Sequence, residues 1–437
     1  MVESHWHETH DGETHDGETH GDESDVVIIG AGAAGLSLAH HLTRTGPPGR
    51  TGPAPTVTLV EALDESLRPP ERTWCFWEKG ESEYEEAVVA SWDRVRVVGR
   101  DGGAVVNGIS PFRYKMLRSG DFEELVGRRL SGLPRVRTVR ADVHAVRDLP
   151  GGAEVNGTAA GGRRLRLRAR WVYDSRPPRE LPRARSTLLQ HFRGWFVRTA
   201  FPAFDPDVVS LMDFRTPQPP RGLSFGYVLP FGPRDALVEY TEFSPKPLSQ
   251  GAYEEALLHY TRKVLGIGPL EVRGQEQGVI PMTDAVFPRR AGRSVFRIGT
   301  AGGATRPSTG YTFAAVQRQS RAIAAAYRRG DVPAPPPPYS PRARAMDAVL
   351  LRLLDRGRSD GTEFFTGLFR TTPAERLLRF LDGDTRLHED IAIGLRTPIL
   401  PMLRTVAELP LLPRRNVPAA PVRPSPSEST SRDEERP

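Results

Sequence analysis

A single cysteine, Cys75, stands in a chain of 437 residues. One thiol excludes an internal disulfide framework and suits a reducing compartment. No run approaches the roughly 18 apolar residues that a membrane-spanning helix needs, and the mean hydropathy of −0.43 describes a water-facing bulk. The first residues carry His, Glu and Asp where a secretory leader needs a basic start and an apolar stretch, so a cytoplasmic location is expected. The chain also lacks any basic block interleaved with aromatics, the footprint of nucleic-acid binding, and no nucleic acid is expected as a partner. Its 60 basic and 54 acidic residues leave a formal charge of +6, spread over scattered arginines. That modest balance suits anionic lipid headgroups but decides nothing alone.

What is present falls into segments. Residues 1–24 contain HETHDGETHDGETHGDE, a polar repeat without an apolar face, which reads as a disordered tail. Its histidines can take up nickel or zinc adventitiously, but no metal site is expected. Ordered structure is expected from Asp25, where DVVIIG reads as a buried parallel strand. The helix GLSLAHHLTRTG, the loop GPPGRTGPAP and a second strand, TVTLVEA, complete a β-α-β unit spanning residues 25–330 with its insertions. Between about 80 and 290, short β-rich runs such as DRVRVVG, RLRLRARWVYD and GWFVRTAF predict an inserted mixed sheet. SVFRIGTAGG returns to a buried strand, and YTFAAVQRQSRAIAAAYRRG is an amphipathic helix. A proline-rich spacer is expected over 331–345, a helical tail over 346–412, and a disordered tail over 413–437.

The run GAGAAG places Gly30, Gly32 and Gly35 in a G-x-G-x-x-G pattern, with Ala33 and Ala34 opening the helix. Gly30 permits the tight turn out of the strand, Gly32 lets the backbone approach a pyrophosphate, and Gly35 lets the helix pack on the sheet. The helix N-terminus offers free amides to the anion. A lone G-x-G-x-x-G is weak, but here it follows a strand and opens a helix. Glu61 ends the next strand, placed to accept hydrogen bonds from an adenosine ribose. Two later segments favour FAD over NAD. WVYDSRPP puts Asp174 at a strand end, and RIGTAGGATRPSTGYTF puts Gly299, Gly302 and Gly303 in a turn before a long helix.

Four segments, DVVIIGAGAAGLSLA, RTWCFWE, LVEYTEFS and GGATRPSTGYTF, together resemble the lycopene cyclase family from about Asp25 to about Leu412. EFFTGLFRTTPAERLLRFLDGD is similar to that family's helical tail. The resemblance implies an α/β fold: a Rossmann-like, p-hydroxybenzoate hydroxylase-like FAD-binding domain with an inserted mixed β-sheet substrate domain and a C-terminal helical tail. It implies a lycopene β-cyclase, an isomerase that converts the acyclic ends of lycopene to β-ionone rings without net redox change. Reduced FAD is its implied cofactor, NADPH or NADH the reductant, and other carotenoid-pathway enzymes are implied neighbours. Glu239 takes the place of the first glutamate in the family's F-L-E-E-T-like segment, its proposed catalytic acid. Tyr240 follows where plant members carry a second acid, and Thr300 stands where related hydroxylases carry aspartate.

The chemistry of ring closure fits such residues. A proton must reach an unactivated double bond, a cation must be held away from water, and a proton must leave. A carboxylic acid in an apolar pocket keeps its proton near neutral pH because desolvation disfavours the anion. Glu239 lies among Val, Tyr, Thr and Phe, although a strand residue of this kind can equally face solvent. Cations are held by π-faces, and Trp195, Phe225, Tyr227, Tyr240, Phe243, Tyr311 and Phe313 are the candidates, with Trp74, Phe76 and Trp77 from RTWCFW near the flavin or a substrate tunnel. Cys75 reads as a buried, inert thiol. A polyene substrate resides in the bilayer, so peripheral membrane attachment through IAIGLRTPILPMLRTVAELPLLPRR is one reading; helices that merely cap the domain are the other. Two rivals remain open: a redox flavoenzyme (monooxygenase or prenyl-chain reductase) and a non-catalytic nucleotide- or lipid-binding module.

Overall fold

The computed structural model describes residues 23–44, 54–68 and 70–417. Most of the His-rich repeat, much of the Pro/Gly loop and residues 418–437 lie outside them. The chain runs β1 (Glu23–Ile29), α1 (Ala33–Thr43), β2 (Val57–Glu61), β3 (Thr73–Lys79), β4 (Val88–Trp92), β5 (Arg94–Val98), β6 (Ala104–Gly108) and β7 (Phe112–Arg118). Next come α2 (Ser119–Ser131), β8 (Val136–Leu149), β9 (Gly152–Ala159), β10 (Arg164–Asp174), β11 (Leu181–Ala184), β12 (Thr187–Thr199) and β13 (Val208–Asp213). β14 (Leu223–Pro230), β15 (Asp235–Ser244), α3 (Gln250–His259), β16 (Leu270–Thr283), β17 (Val295–Arg297) and α4 (Phe313–Arg328) follow. The chain ends in α5 (Pro341–Asp355), α6 (Gly361–Thr371), α7 (Ala374–Leu381), α8 (Leu387–Gly394), α9 (Ile399–Glu408) and β18 (Arg415–Val417).

The nucleotide-type sheet is built on β1, whose last four residues are wholly buried, as a strand covered on both faces must be. β1 lies parallel to β2 and to β10; β2 continues to β8 and β10 to β17, all parallel. β9 runs antiparallel to both β8 and β10. This corrects the expected insertion, because RLRLRARWVYD, read as part of an inserted sheet, is a central strand of the nucleotide-type sheet. Its first half alternates exposed arginines with buried Leu and Ala against β9, and its end, WVY, is fully covered beside β1. The insertions are therefore two, one on either side of β8–β10.

Those insertions form a seven-stranded sheet, ordered β16-β12-β15-β14-β13-β5-β6, and a three-stranded sheet, β3-β7-β4. Successive side chains of a strand point to opposite faces, and the large sheet uses both. One face holds Trp195, Val197, Val238 and Tyr240 beneath Tyr253, Leu257 and Tyr260, on and just after α3. Its other face holds Leu223, Phe225, Leu237 and Phe243, covered by Trp77, Tyr114 and Met116 from the small sheet and by α5–α8. A third cluster fills the space between the nucleotide-type sheet, α1, α2 and α4.

Three expectations about the ends change. The strand β1 begins at Glu23, two residues before Asp25, because Glu23 and Ser24 pair with Arg168 and Ala169. The segment 331–345 does not hold the tail at a distance. The carbonyls of Pro333, Pro335 and Pro336 accept hydrogen bonds from Tyr173, Arg289 and Gln319, and the Tyr339 hydroxyl donates to the Ala304 carbonyl. Prolines leave their carbonyls free, which makes such a strap easy to tie. Beyond residue 413, Arg415–Val417 pairs with β11 rather than lying free. α5 is locked further by the buried Arg306–Asp347 pair, 3.0 Å apart. Phe365 of α6 stacks on Phe214 of the large-sheet insertion and meets Phe364 edge-on. Phe365→Ala is expected to cost about 3–5 kcal/mol, measured as a lowered urea midpoint; an unchanged midpoint would show that the tail adds nothing to the core.

Candidate active site

Two glycine turns meet at the carboxyl ends of β1 and β17. Gly30 has φ +99°, and a methyl group there would collide with Ser175. Gly35 lies so close to the Gly30 carbonyl that a Cβ would sit 1.8 Å from its oxygen, so helix and turn are pressed together. Gly32 differs: a Cβ would meet nothing within 4 Å, so open space lies in front of the helix. The N-terminus of α1 has no side-chain cap and no acidic residue in its first turn. Its amides, Ala33 and Ala34 included, therefore remain available to an anion. The second turn, Gly299–Gly303, packs onto this end, where a Cβ on Gly299 (φ +62°) would come within 2.8 Å of the Ala34 Cβ. Gly302 backs onto the Arg297 carbonyl, and Gly303 takes φ +79°. α4, which follows, is likewise free of a side-chain cap and of acidic residues in its first turn.

Each acidic candidate around this cleft is paired with an arginine. Glu61 ends β2 as expected and is paired with Arg68 at 2.9 Å. Asp174 is committed inside the protein: Arg176 grips both its oxygens at 2.9 and 2.7 Å, and its carbonyl receives the Ile298 amide. It braces the junction of β10 and β17, and its half-buried carboxylate is occupied by Arg176 as that of Glu61 is by Arg68.

Glu239 lies at the middle of β15, on the face turned toward the small sheet. Its cross-strand neighbours are Tyr227 on β14 and Gly194 on β12. Burial pushes its carboxyl well above the usual carboxylate range, and the charge and side-chain contact of Glu276 push it the same way. Tyr114 on β7 ties the Tyr227 and Tyr311 hydroxyls together at 2.7 and 2.9 Å. Trp77 stands edge-on to Tyr311, with 4.7 Å between ring centroids. Cys75 interacts with the Tyr227 and Tyr114 hydroxyls, and burial lifts its thiol to about 12. It stays a neutral thiol, as expected. Cys75, Tyr227 and Tyr311, lodged among these groups, each keep some accessible surface.

The structure thus brings Tyr227 and Tyr311 to Glu239 and leaves other aromatic candidates elsewhere. Trp195 and Tyr240 point to the opposite face of the sheet, packed under α3, because each is one residue out of phase with the Glu239 side. Tyr240 donates to Glu242 at 2.8 Å. Phe243 shares the Glu239 face but packs edge-on against Phe225 further along the sheet. Phe313 starts α4 inside the nucleotide-type core, against Trp74, Phe76, Tyr84 and Phe122. RTWCFW is therefore split by its pleat: Trp74 and Phe76 face that core, while Cys75 and Trp77 face the Glu239 side. Sequence reasoning missed Glu276, Tyr114 and Gly194, which reach the site only through sheet register.

Two substitutions separate the roles of the glycines. Gly32→Ala, at φ −88°, is expected to leave the thermal midpoint unchanged and to weaken FAD binding about tenfold or more, since two amide contacts of about 1 kcal/mol are at stake. Gly35→Ala is expected to disrupt the fold itself. Undiminished flavin affinity in a folded Gly32→Ala protein, read by fluorescence titration, would place the pyrophosphate elsewhere.

Solved structures share this architecture. A geranylgeranyl bacteriochlorophyll reductase-like protein from Thermoplasma acidophilum is 12% identical, with a TM-score of 0.53 over 89% of this chain and 96% of that one. A flavoprotein/dehydrogenase from Cytophaga hutchinsonii is 12% identical, with a TM-score of 0.57 over 88% and 99%. A p-nitrophenol 4-monooxygenase from Pseudomonas putida is 14% identical, with a TM-score of 0.52 over 88% and 97%. At such identities the likeness establishes the fold, a Rossmann-like FAD-binding fold with inserted sheets, and nothing finer. No curated protein sequence matches significantly. The family described as lycopene cyclase protein matches residues 25–407, nearly everything from β1 into α9, and the chain belongs to that family.

Proposed function

We propose that this protein is a lycopene β-cyclase, closing the acyclic ends of lycopene, by way of γ-carotene, into the β-ionone rings of β-carotene by acid catalysis without net redox change. The observation that carries the reading is Glu239, a glutamic acid kept protonated by burial beside Tyr227, Tyr311, the neutral Cys75 thiol and a second carboxyl, Glu276. Its proton passes to a terminal double bond, the neighbouring double bond closes on the resulting cation, and loss of a ring proton restores neutrality. The surroundings protect that cation. Tyr227, Tyr311 and Trp77 offer π-faces, and the tyrosine hydroxyls are engaged with Tyr114. Burial keeps Tyr227 and Tyr311 neutral, so neither hydroxyl is an anionic nucleophile ready to trap the cation.

FAD fits the cleft formed by Gly30, Gly32, Ala33, Ala34 and Gly35 with the Gly299–Gly303 turn, and Glu61 reaches a ribose there once it releases Arg68. The chemistry expected of reduced FAD, maintained by NADPH or NADH, is a negative charge beside the cation or help in the proton transfers. Tyr311 lies on the segment that leaves the Gly299 turn, so cofactor cleft and acid share one stretch of backbone.

Anaerobic incubation with FAD, NADPH and lycopene in liposomes tests the reading. Wild type is expected to give cyclic product of unchanged mass, and Glu239→Gln to fall about 10²–10⁴-fold, the usual contribution of a general acid. Product of altered mass, with NADPH consumed in proportion, would instead establish a redox flavoenzyme.

The substrate is lipophilic, and the tail offers a surface for reaching it. α5–α7 bury their apolar faces, but Leu395, Leu400, Leu403 and Leu411 around α8 and α9 are 58–83% exposed. Exposed Arg396 and Arg404 lie among them, suited to anionic headgroups. Peripheral attachment through this patch is part of the proposal. Leu400→Asp with Leu411→Asp is expected to lower co-sedimentation with anionic liposomes at least several-fold; unchanged sedimentation would refute the patch.

A further inference from the structure

Resting on the cyclase reading, a second carboxyl acquires a role. We infer that Glu276 is the positioning partner of Glu239, and that the two carboxyls share one proton across a gap which Gly194 opens in the strand between them. β12 runs between β15 and β16, and Gly194 is in register with Glu239 on one side and with Glu276 on the other. A side chain at 194 would stand where the two acids meet. Even a methyl there would come within 2.7 Å of the Glu239 Cγ and 2.9 Å of the Leu237 Cδ1.

Glu276 is held from behind. Its Oε2 accepts the Thr73 amide at 3.1 Å and the Thr73 hydroxyl at 2.7 Å, so the β3 strand fixes its direction. Its Oε1 is buried and finds no N–H or hydroxyl donor among the described residues. A buried acceptor without a donor costs about 1–3 kcal/mol. The donor it lacks is available if Glu239 carries a proton, since Gly194, which has no side chain, is the residue in register between the two acids. Two ionised carboxylates side by side would repel strongly, so one proton per pair is the stable state.

The other titratable groups facing Glu239 are Tyr227 from β14, Cys75 from β3 and Tyr311 from the stretch before α4, with Tyr114 from β7 behind them. All are neutral at pH 7, and among the described residues no Lys or Arg is paired with either carboxyl. When Glu239 gives its proton to the polyene, its O–H bond breaks and a C–H bond forms. The pair is then left with an extra negative charge and strong affinity for a proton. Recovery of one proton from the ring cation restores the starting state, so the cycle needs no net proton.

Infrared difference spectra of wild type against Glu239→Gln isolate the carboxylic C=O band of Glu239, which is then followed with pH in the full chain. Removing the facing charge lowers proton affinity. In Glu276→Gln the band should therefore vanish at a pH about one unit or more below wild type, a tenfold or greater change in proton affinity. The alkaline limb of kcat/KM should move down equally. Gly194→Ala, which pushes the two acids apart, should shift the band the same way and provides a second route if Glu276→Gln does not fold. A band shift without any lycopene cyclisation would uphold the pair and overturn the cyclase reading. Cyclisation with an unmoved band in a folded variant would overturn the pair and leave the cyclase reading intact.

Discussion

A carboxyl group gives up its charge when water is taken away from it, and much of this chain is arranged to take water away from Glu239. Its strand is central in the seven-stranded sheet, with β12 and β14 on either side. The small sheet lies over its face with Cys75, Trp77 and Tyr114, and α5–α7 close the same layer further along with leucines and phenylalanines. Desolvation raises Glu239, Cys75, Tyr227 and Tyr311 together, so one structural cause keeps these four groups protonated. In the proposed reaction, a cation formed there meets rings and neutral hydroxyls.

The same enclosure explains why the tail is part of the domain rather than an appendage. Its helices supply part of the apolar cover on that face, and the proline segment straps them down through its carbonyls. Arg306 and Asp347 bury opposite charges against each other where the glycine-turn segment meets α5. Breaking one side of such a pair typically costs about 3–5 kcal/mol. Movement of the tail would thus be felt in the stretch that runs from the Gly299 turn through Arg306 to Tyr311.

That stretch is also what joins the two halves of the site. Gly299 abuts the start of α1, and Tyr311 joins the tyrosine cluster beside Glu239. The β3 strand makes the second link, with alternate residues facing the nucleotide-type core and the acid. Both links are short, which suits the proposed reaction, where a cofactor's charge and an acid's proton must be placed relative to each other.

The sequence by itself determined the features that depend on neighbours along the chain. Gly30, Gly32 and Gly35 declare a strand–turn–helix because their spacing is that of one tight turn, and the Gly299–Gly303 turn before α4 is equally local. The family was legible from short segments of similar kind, and Glu239 stands in one of them. Tertiary structure alone decided which side chains share a face and which distant strands meet. Trp195 and Tyr240 fell on the far side of the sheet because a shift of one residue reverses a side chain. RLRLRARWVYD joined the nucleotide-type sheet because its partners, β1 and β17, lie far away in the chain. Glu276 came to face Glu239 only because both strands chose β12 as their neighbour and placed Gly194 between them. Register of that kind is written in pairing across the sheet, and no window of the sequence contains it.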